Sequence, residues 1–256
     1  MNRLEAIGAV RDTLRRGGHS IGSWIQIPHA SIAEIMGAAG YDWVAVDMEH
    51  GSVAFHQLPD LFRALELGGT LPLVRLAEGT VTNCKLALDA GAGGVIVPNI
   101  ASAAQLEAIR GHCRWPPAGT RGVGFSRANL FGRNFAAYTE EAQAPLLVAM
   151  IEDVRAVEHL DTILAVRGLD AILIGPYDLS ASMGLTAQFD HPDFKSALES
   201  IRVGARKHDI PSGVHVVQPS VTELQARIDE GYRFVAYSID SVMLNHTAAR
   251  PGTGQP

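Results

Sequence analysis

Apolar runs alternate with amphipathic stretches along almost the whole chain. After an opening helix over residues 3–16, eight short runs rich in Val, Ile and Leu have the length and composition of strands. These runs cover residues 20–27, 43–48, 71–76, 93–99, 145–152, 170–175, 212–217 and 234–239. Several are almost continuously apolar, as parallel strands covered on both faces are. Many of the stretches between them end on Gly, the usual residue just beyond the end of a helix.

This alternation of strands and helices predicts a parallel sheet. Eight repeats within about 240 residues favour a closed (β/α)₈ barrel with an extra N-terminal helix over an open sheet. The chain of 256 residues is therefore expected to form one barrel domain over 1–256, with a disordered tail from about residue 250. The longest segment without a strand, 113–144, is rich in Gly and Arg, and a connection of that length is more often functional than idle.

Composition narrows the class of protein. The net charge of −6 argues against a nucleic-acid partner or an anionic membrane surface. The N-terminus lacks the apolar core of a signal peptide, and no run approaches the roughly 18 apolar residues that span a bilayer. The two cysteines, Cys84 and Cys113, have no CxxC neighbour. A reduced, cytoplasmic setting is therefore expected.

Polar side chains gather at the predicted C-terminal ends of the strands, where barrels of this kind place their chemistry. They are Gln26, Asp47, Glu49, His50, Arg75, Asn99, Glu152, Asp153, Asp178, His215, Gln218, Ser238 and Asp240. Asp153 and Asp240 are expected to be helix N-caps. Arg75 lies inside an apolar strand, where an arginine is costly unless it is paired or faces a ligand, so it is assigned to the site.

The residue types at these positions exclude several chemistries. The three lysines, Lys85, Lys195 and Lys207, all lie in helical stretches, so a Schiff-base mechanism is not expected. The glycine-rich stretch GAGGV precedes a strand and does not open a helix, so it is no phosphate loop. No HxH or HExxH spacing indicates zinc. Glu152 and Asp178, on neighbouring strands, are instead typical of an open magnesium or manganese site.

Six stretches together resemble the HpcH/HpaI aldolase family. They are VDMEH, PLVRL, VPNI, PPAGTRGVGFSRA, MIED and IGPYDLSASMG, and the resemblance covers residues 4–246. The family consists of metal-dependent class II pyruvate aldolases with a (β/α)₈ fold. The resemblance implies that Glu152 and Asp178 hold a divalent ion, Mg²⁺ first and Mn²⁺ or Co²⁺ as alternatives. It also implies that the ion chelates the ketone and one carboxylate oxygen of pyruvate.

The resemblance further implies a substrate site and a proton path. The pyruvate carboxylate would lie against backbone N–H groups around Gly175, Pro176 and Tyr177, at the start of a helix. Arg75 would contact the ketone oxygen and stabilise the enolate. His50, oriented by Asp47, would help a metal-bound water move protons.

Three further positions qualify this picture. The run from Pro117 to Arg127 is expected to form part of the wall that meets the aldehyde, although Arg121 could equally be structural. Glu49 is interpreted as a structural carboxylate. Some relatives have QIE where this chain has Met150 followed by Ile and Glu152, which indicates a different branch of the family.

The implied reaction is the reversible retro-aldol cleavage of a 4-hydroxy-2-oxo acid to pyruvate and an aldehyde, through a metal-bound pyruvate enolate. Two alternatives stay open: decarboxylation of oxaloacetate or another lyase reaction through the same enolate, and a catalytically silent barrel that binds a keto acid. The implied partners are small molecules, a 2-oxo acid and an aldehyde. The resemblance also implies a homo-oligomer, a hexamer, with the last helix packing on a neighbouring copy.

Overall fold

The computed structural model describes residues 1–248, and in it eight parallel strands close into a barrel in sequence order, with β8 pairing with β1. The strands are β1 (Ser20–Ile25), β2 (Trp43–Asp47), β3 (Leu71–Arg75), β4 (Gly94–Val97), β5 (Leu146–Ile151), β6 (Ala171–Ile174), β7 (Ser212–Val216) and β8 (Phe234–Ile239). The helices are α1 (Arg3–Arg15), α2 (Ala30–Ala38), α3 (Leu58–Leu67), α4 (Val81–Asp89), α5 (Ala103–Cys113), α6 (Phe135–Gln143), α7 (Val154–Glu158), α8 (Leu160–Leu164), α9 (Pro176–Ser182), α10 (Pro192–Lys207), α11 (Val221–Asp229) and α12 (Asp240–Thr247). Short 3₁₀ helices cover Phe55–Gln57 and Arg127–Asn129.

The predicted fold class is confirmed, and each predicted strand lies within two residues of an observed one. The ends of β1 and β4 differ most: β1 was expected to reach residue 27 and ends at Ile25, and β4 was expected to reach residue 99 and ends at Val97. Pro98 has no N–H to continue the ladder, and Asn99 has a left-handed φ of 56°. The expected tail from residue 250 lies outside the described residues, and a single domain over 1–256 stays a prediction.

Side chains from both ends of the chain fill the barrel interior. Trp43 on β2 stacks on Phe234 on β8 with ring centroids 4.4 Å apart. Ile7, Val10 and Leu14 of α1 join the same apolar cluster. The extra N-terminal helix therefore closes the end of the barrel opposite the C-terminal ends of the strands, and it leaves that other end open for chemistry.

A second apolar layer lies between the barrel and its helices. Along β2, Trp43 and Ala45 belong to the interior cluster, whereas Val44 and Val46 belong to the outer cluster with Phe62 of α3. Because successive strand residues point to opposite faces, both sets are buried, which explains the uninterrupted apolar runs. Each fully buried aliphatic side chain contributes about 1.5–3 kcal/mol to folding.

The long segment 113–144 has a small apolar cluster of its own. Arg121 is buried, donates a hydrogen bond to the Tyr138 hydroxyl at 2.9 Å, and lies over the rings of Trp115 and Tyr138. Arg121 therefore has the structural role that the sequence left as one of two alternatives. Cys84 and Cys113 are both free and buried. Over residues 1–248, the structure contains no helix with the length and apolarity needed to cross a membrane.

The two predicted helix caps differ in outcome. Asp153 is confirmed as the N-cap of α7, because its carboxylate accepts the Arg155 N–H at 2.8 Å. The prediction for Asp240 is wrong: α12 begins at Asp240 itself, and its carboxylate accepts the N–H groups of Gln26 and Ile27 at 2.8 and 3.0 Å. Asp240 thus fixes the chain just after β1, which lies next to β8 in the closed barrel.

Candidate active site

The predicted site residues converge at the C-terminal end of the barrel, around a cavity of about 270 Å³. Six of them line it: His50, Arg75, Gly175, Pro176, Tyr177 and Asp178. Asp47 and Glu152 are buried behind this lining. The remaining lining residues are Trp24, Gln26, Met150, Leu173, Ile174, His215, Val217 and Ile239. No residue of 117–127 is among those lining residues, so the described chain does not place that run at the cavity.

Asp47 and Arg75 form a buried, two-pronged ion pair. They are register partners on β2 and β3, so both side chains point to the same face of the sheet. Arg75 donates from Nε to Asp47 Oδ1 at 2.8 Å and from Nη2 to Asp47 Oδ2 at 2.6 Å. Burial alone raises the pKa of Asp47, but the hydrogen bonds and charge of Arg75 outweigh it and hold that pKa below its ordinary value. Asp47 is therefore the fixed anchor of the guanidinium.

His50 is placed differently from the sequence-based expectation. Asp47 Oδ1 accepts the backbone N–H groups of Glu49 and His50, at 3.1 and 3.2 Å, and not the imidazole. Gln26 donates to the other oxygen of Asp47 at 2.9 Å. With Arg75 also bound, both carboxylate oxygens are occupied, so Asp47 orients the loop rather than the ring. The His50 side chain is 59% exposed at the cavity mouth, and its Nε2 lies 3.9 Å from Glu49 Oε2.

Glu49 contacts two of the predicted site residues, although it is not among the residues that line the cavity. Its Oε2 lies 3.3 Å from Arg75 Nη1 and is buried without a hydrogen bond to any described residue. Burial raises the pKa of Glu49, the charges of Arg75 and His50 lower it, and those of Asp47 and Asp178 raise it further.

Glu152 is the most deeply buried acid at this end of the barrel after Asp47. It directly follows β5, is 3% exposed, and accepts the Asn99 N–H at 2.7 Å on Oε1. A Cβ at Gly175 would lie 2.5 Å from Glu152 Oε2, so only glycine leaves room for the carboxylate. Burial raises the pKa of Glu152 to about 7, and the charges of Glu49 and Asp178 act in the same direction.

Asp178 and the start of α9 form the opposite wall. Pro176 is the first residue of α9 and carries no N–H, and the first backbone hydrogen bond of the helix runs from Leu179 to Gly175. The N–H groups of Tyr177 and Asp178 are therefore among those that a helix leaves without an internal partner. Asp178 is exposed and lies within the first turn of α9.

The donor set fits a hard divalent cation. Burial raises the pKa of Glu152, the negative charges of Glu49 and Asp178 raise it further, and the positive charge of Arg75 lowers it. Carboxylate oxygens from Glu152 and Asp178 are the ligands that Mg²⁺ and Mn²⁺ prefer. Within residues 1–248 no group of three or more His, Cys, Asp or Glu side chains is arranged as a ligand set. An ion held by these two carboxylates would keep most of its positions for substrate and water.

The floor of the cavity is largely apolar. Met150 is buried and lines it. Arg75 lies over the indole of Trp24, with the guanidinium carbon 4.7 Å from the ring centroid. Sequence reasoning missed Trp24, because its position in β1 looks like ordinary core until the barrel closes. His215, on β7, faces the same indole.

Comparison with known proteins adds independent findings. The family model described as HpcH/HpaI aldolase/citrate lyase matches residues 20–247. A hydroxypyruvate/pyruvate aldolase from Roseobacter denitrificans is 36% identical over 245 residues, which cover 94% of each chain. A 2-keto-3-deoxy-L-rhamnonate aldolase from Salmonella gallinarum is 34% identical over 237 residues, which cover 91% of this chain and 87% of the relative.

A solved structure has the same architecture. It is an HpcH/HpaI aldolase/citrate lyase family protein from Burkholderia cenocepacia J2315, with a TM-score of 0.87 and 28% identity. The superposition covers 94% of this chain and 96% of the other.

Proposed function

The chain belongs to the HpcH/HpaI aldolase/citrate lyase family and is a carbon–carbon lyase of the aldolase type, and from this premise we propose that it cleaves a 4-hydroxy-2-oxo acid reversibly to pyruvate and an aldehyde with the help of a divalent metal ion. The observation that carries the proposal is the arrangement around one cavity. Arg75 forms one wall, Asp178 and the start of α9 form another, and Glu152 lies behind Gly175.

The absence of lysine from the lining supports a metal-dependent reaction over a Schiff base. Lys85 lies on α4, and Lys195 and Lys207 lie on α10, and none of them is among the lining residues of this cavity. Glu152 and Asp178 are the residues that would hold the ion. When bound there, a divalent ion supplies a Lewis acid that polarises the ketone of the substrate.

The chain's own residues account for binding and charge. The unpaired N–H groups of Tyr177 and Asp178 receive the carboxylate of the 2-oxo acid, beside Gly175 and Pro176. Arg75 is fixed by Asp47 through Nε and Nη2, and its Nη1, 3.3 Å from Glu49 Oε2, makes no hydrogen bond to any of residues 1–248. It donates to the ketone oxygen and stabilises the negative charge that develops there, without having to reorganise during the reaction.

Proton transfer falls to His50. Its exposed imidazole at the mouth accepts the C4-hydroxyl proton, directly or through a water molecule. The C3–C4 bond then breaks, its electrons form the C2–C3 double bond of the enolate, and the aldehyde leaves. A proton returned to C3 completes pyruvate. Glu49 lies between His50 and Arg75, and its carboxylate holds both the imidazole and the guanidinium in position.

Cleavage and metal dependence are tested on the purified protein. A 4-hydroxy-2-oxo acid is supplied, and pyruvate is measured with EDTA and after addition of Mg²⁺, Mn²⁺ or Co²⁺. We expect activity only with a metal ion, and its loss in Glu152→Ala and Asp178→Ala with weaker metal binding by calorimetry. Activity in EDTA, or no activity with any of the three ions, would falsify the proposal. Oxaloacetate decarboxylation without aldol cleavage would favour the alternative lyase.

The oligomeric state and the location in the cell stay predictions. A homo-hexamer is expected by resemblance, and light scattering of the purified protein measures its mass directly. The pairing of the last helix with a neighbouring copy is part of the same proposal.

A further inference from the structure

His215 is a partly buried histidine that lines the cavity and that the proposed mechanism does not use. It lies on β7 and packs edge-on against Trp24, with ring centroids 5.9 Å apart. Arg75 lies over the same indole at 4.7 Å. The imidazole is therefore held beside the guanidinium that faces the substrate ketone, deep in the cavity and away from the exposed His50 at the mouth.

An irregularity in the sheet supplies a partner for one ring nitrogen. Between Gly22 and Trp24 the pairing of β1 with β8 shifts, so that Tyr237 and Ser238 lie opposite the single residue Ser23. Ser238 has a left-handed φ of 52°. The Ser238 carbonyl oxygen lies 3.3 Å from His215 Nε2. A β-bulge of this kind takes a residue out of the ladder and turns its carbonyl to a new partner.

This contact determines the tautomer of the ring. A carbonyl oxygen only accepts hydrogen bonds, so Nε2 must carry the hydrogen, and Nδ1 then carries a lone pair. Nδ1 makes no hydrogen bond to any of residues 1–248. Burial lowers the pKa of His215 to about 4, so the ring stays neutral near pH 7. The cavity floor therefore contains a fixed hydrogen-bond acceptor.

The other polar groups of the floor are less suited to this role. Arg75 only donates. The Gln26 amide is already hydrogen-bonded at both of its polar atoms, because its Nε2 donates to Asp47 and its Oε1 accepts from Ser241 at 3.0 Å. The surrounding walls are apolar: Trp24, Met150, Leu173 and Ile239. A substrate hydroxyl that reaches this depth needs an acceptor, and an unpaired hydroxyl among apolar walls is costly.

We propose that His215 is a specificity-determining residue whose Nδ1 accepts a hydrogen bond from a hydroxyl group on C3 of the 2-oxo acid. The inference rests on the proposed function. The 2-oxo acid, held by Arg75 and the start of α9, occupies the floor, and the aldehyde lies nearer the mouth. The hydroxyl that meets His215 therefore belongs to the 2-oxo acid. The enzyme selects a hydroxylated 2-oxo acid of the hydroxypyruvate class over pyruvate itself.

The test isolates the 2-oxo acid half of the reaction. Exchange of the C3 protons with D₂O is followed by NMR for hydroxypyruvate and for pyruvate, with Mg²⁺ and no aldehyde. We expect wild type to have the higher kcat/KM for hydroxypyruvate. His215→Leu should lower the ratio of the two kcat/KM values about 10- to 100-fold, the loss expected for one unpaired polar group. His215→Asn, which keeps an acceptor, should restore part of it.

Two controls separate specificity from structure. His19→Leu changes an exposed histidine just before β1, at the opposite end of the barrel, and should leave the ratio unchanged. The ¹⁵N chemical shifts of the His215 ring, identified by their loss in His215→Asn, should show a protonated Nε2 and a bare Nδ1. If His215→Leu does not fold, the ¹⁵N spectrum of the wild-type protein alone tests the proposal.

The outcomes are distinct. An unchanged ratio in His215→Leu, equal losses for both acids, a wild type without preference for hydroxypyruvate, or a protonated Nδ1 overturns the role of His215 and leaves the aldolase proposal standing. If wild type exchanges neither acid with Mg²⁺, Mn²⁺ or Co²⁺, the proposed function itself fails, and the inference fails with it.

Discussion

Replacing Gly175 by alanine would place a methyl group against the acid that we assign to the metal ion. The new Cβ would lie 2.5 Å from Glu152 Oε2 and 2.9 Å from Glu152 Cβ. Both distances are shorter than real side-chain contacts allow, so Glu152 must move. Its freedom is small, because Oε1 is tied to the Asn99 N–H at 2.7 Å and the residue is 3% exposed.

The magnitude follows from what this movement breaks. Loss of the charged hydrogen bond to Asn99 costs about 1.5–3 kcal/mol, and overpacking costs about 1–3 kcal/mol where the neighbours cannot relax. The lower entropy of the unfolded chain returns about 0.4–1 kcal/mol. We expect Gly175→Ala to lower the free energy of unfolding by about 1.5–5.5 kcal/mol and to weaken Mg²⁺ binding about 10- to 100-fold.

The assay combines urea unfolding, followed by circular dichroism, with calorimetric titration of Mg²⁺. Gly8→Ala is a matched control, because a Cβ there meets no atom within 4 Å and Gly8 lies inside α1. That control should gain about 0.5–1 kcal/mol of stability from the better helix former and bind Mg²⁺ as wild type does. If Gly175→Ala binds Mg²⁺ with unchanged affinity, Glu152 is not a ligand of the ion.

Three further predictions follow from the same structure. Burial raises the pKa of Glu152 to about 7 from 4.5, so the folded metal-free protein binds the proton more tightly than the unfolded chain. The contribution of Glu152 to the free energy of unfolding is then complete below about pH 4.5 and is lost as the pH rises through about 7. Urea midpoints measured in EDTA should therefore fall over that pH range, and Glu152→Gln should remove this part of the fall. Arg75→Lys keeps the charge beside Asp47 but loses the two-pronged geometry, and we expect proton exchange of the 2-oxo acid to slow about 100-fold in a folded protein; exchange at the wild-type rate would refute the role of Arg75. Tyr138→Phe removes the acceptor of buried Arg121 and should cost about 1–3 kcal/mol in urea unfolding, with kcat/KM unchanged; a changed kcat/KM would show that the 113–144 segment acts on the site.

The parts of the site that the sequence predicted are those that follow from strand ends. In a parallel barrel all carboxyl ends of the strands meet at one rim, so the order of the strands is enough to place Asp47, Arg75, Glu152 and Asp178 together. The assignment of Gly175 to the site also came from the sequence. Its steric reason, the Glu152 carboxylate, did not, because the two residues are 23 positions apart in the chain.

The contacts that these side chains make with one another could not be predicted in the same way. His50 is close to Asp47 in sequence, and the expected contact joined their side chains. The structure instead pairs Asp47 with Arg75, because the register of β2 on β3 sets these two residues side by side. The misassigned cap at Asp240 has the same origin. Closure of the barrel brings β8 against β1, and the backbone N–H groups after β1 occupy the carboxylate that was expected to cap its own helix.

The order of strands and helices, the closed parallel barrel, the rim at which polar residues gather, and the family could all be predicted from the sequence alone. These follow from periodicity and local motifs, which act over a few residues at a time. The tertiary structure was needed to show which acid pairs with Arg75, that Glu49 lies beside the same guanidinium, and that His215 Nε2 meets the Ser238 carbonyl oxygen. Those properties depend on register, on a bulge in β8 and on burial, and each of them arises from contacts between residues far apart in the chain.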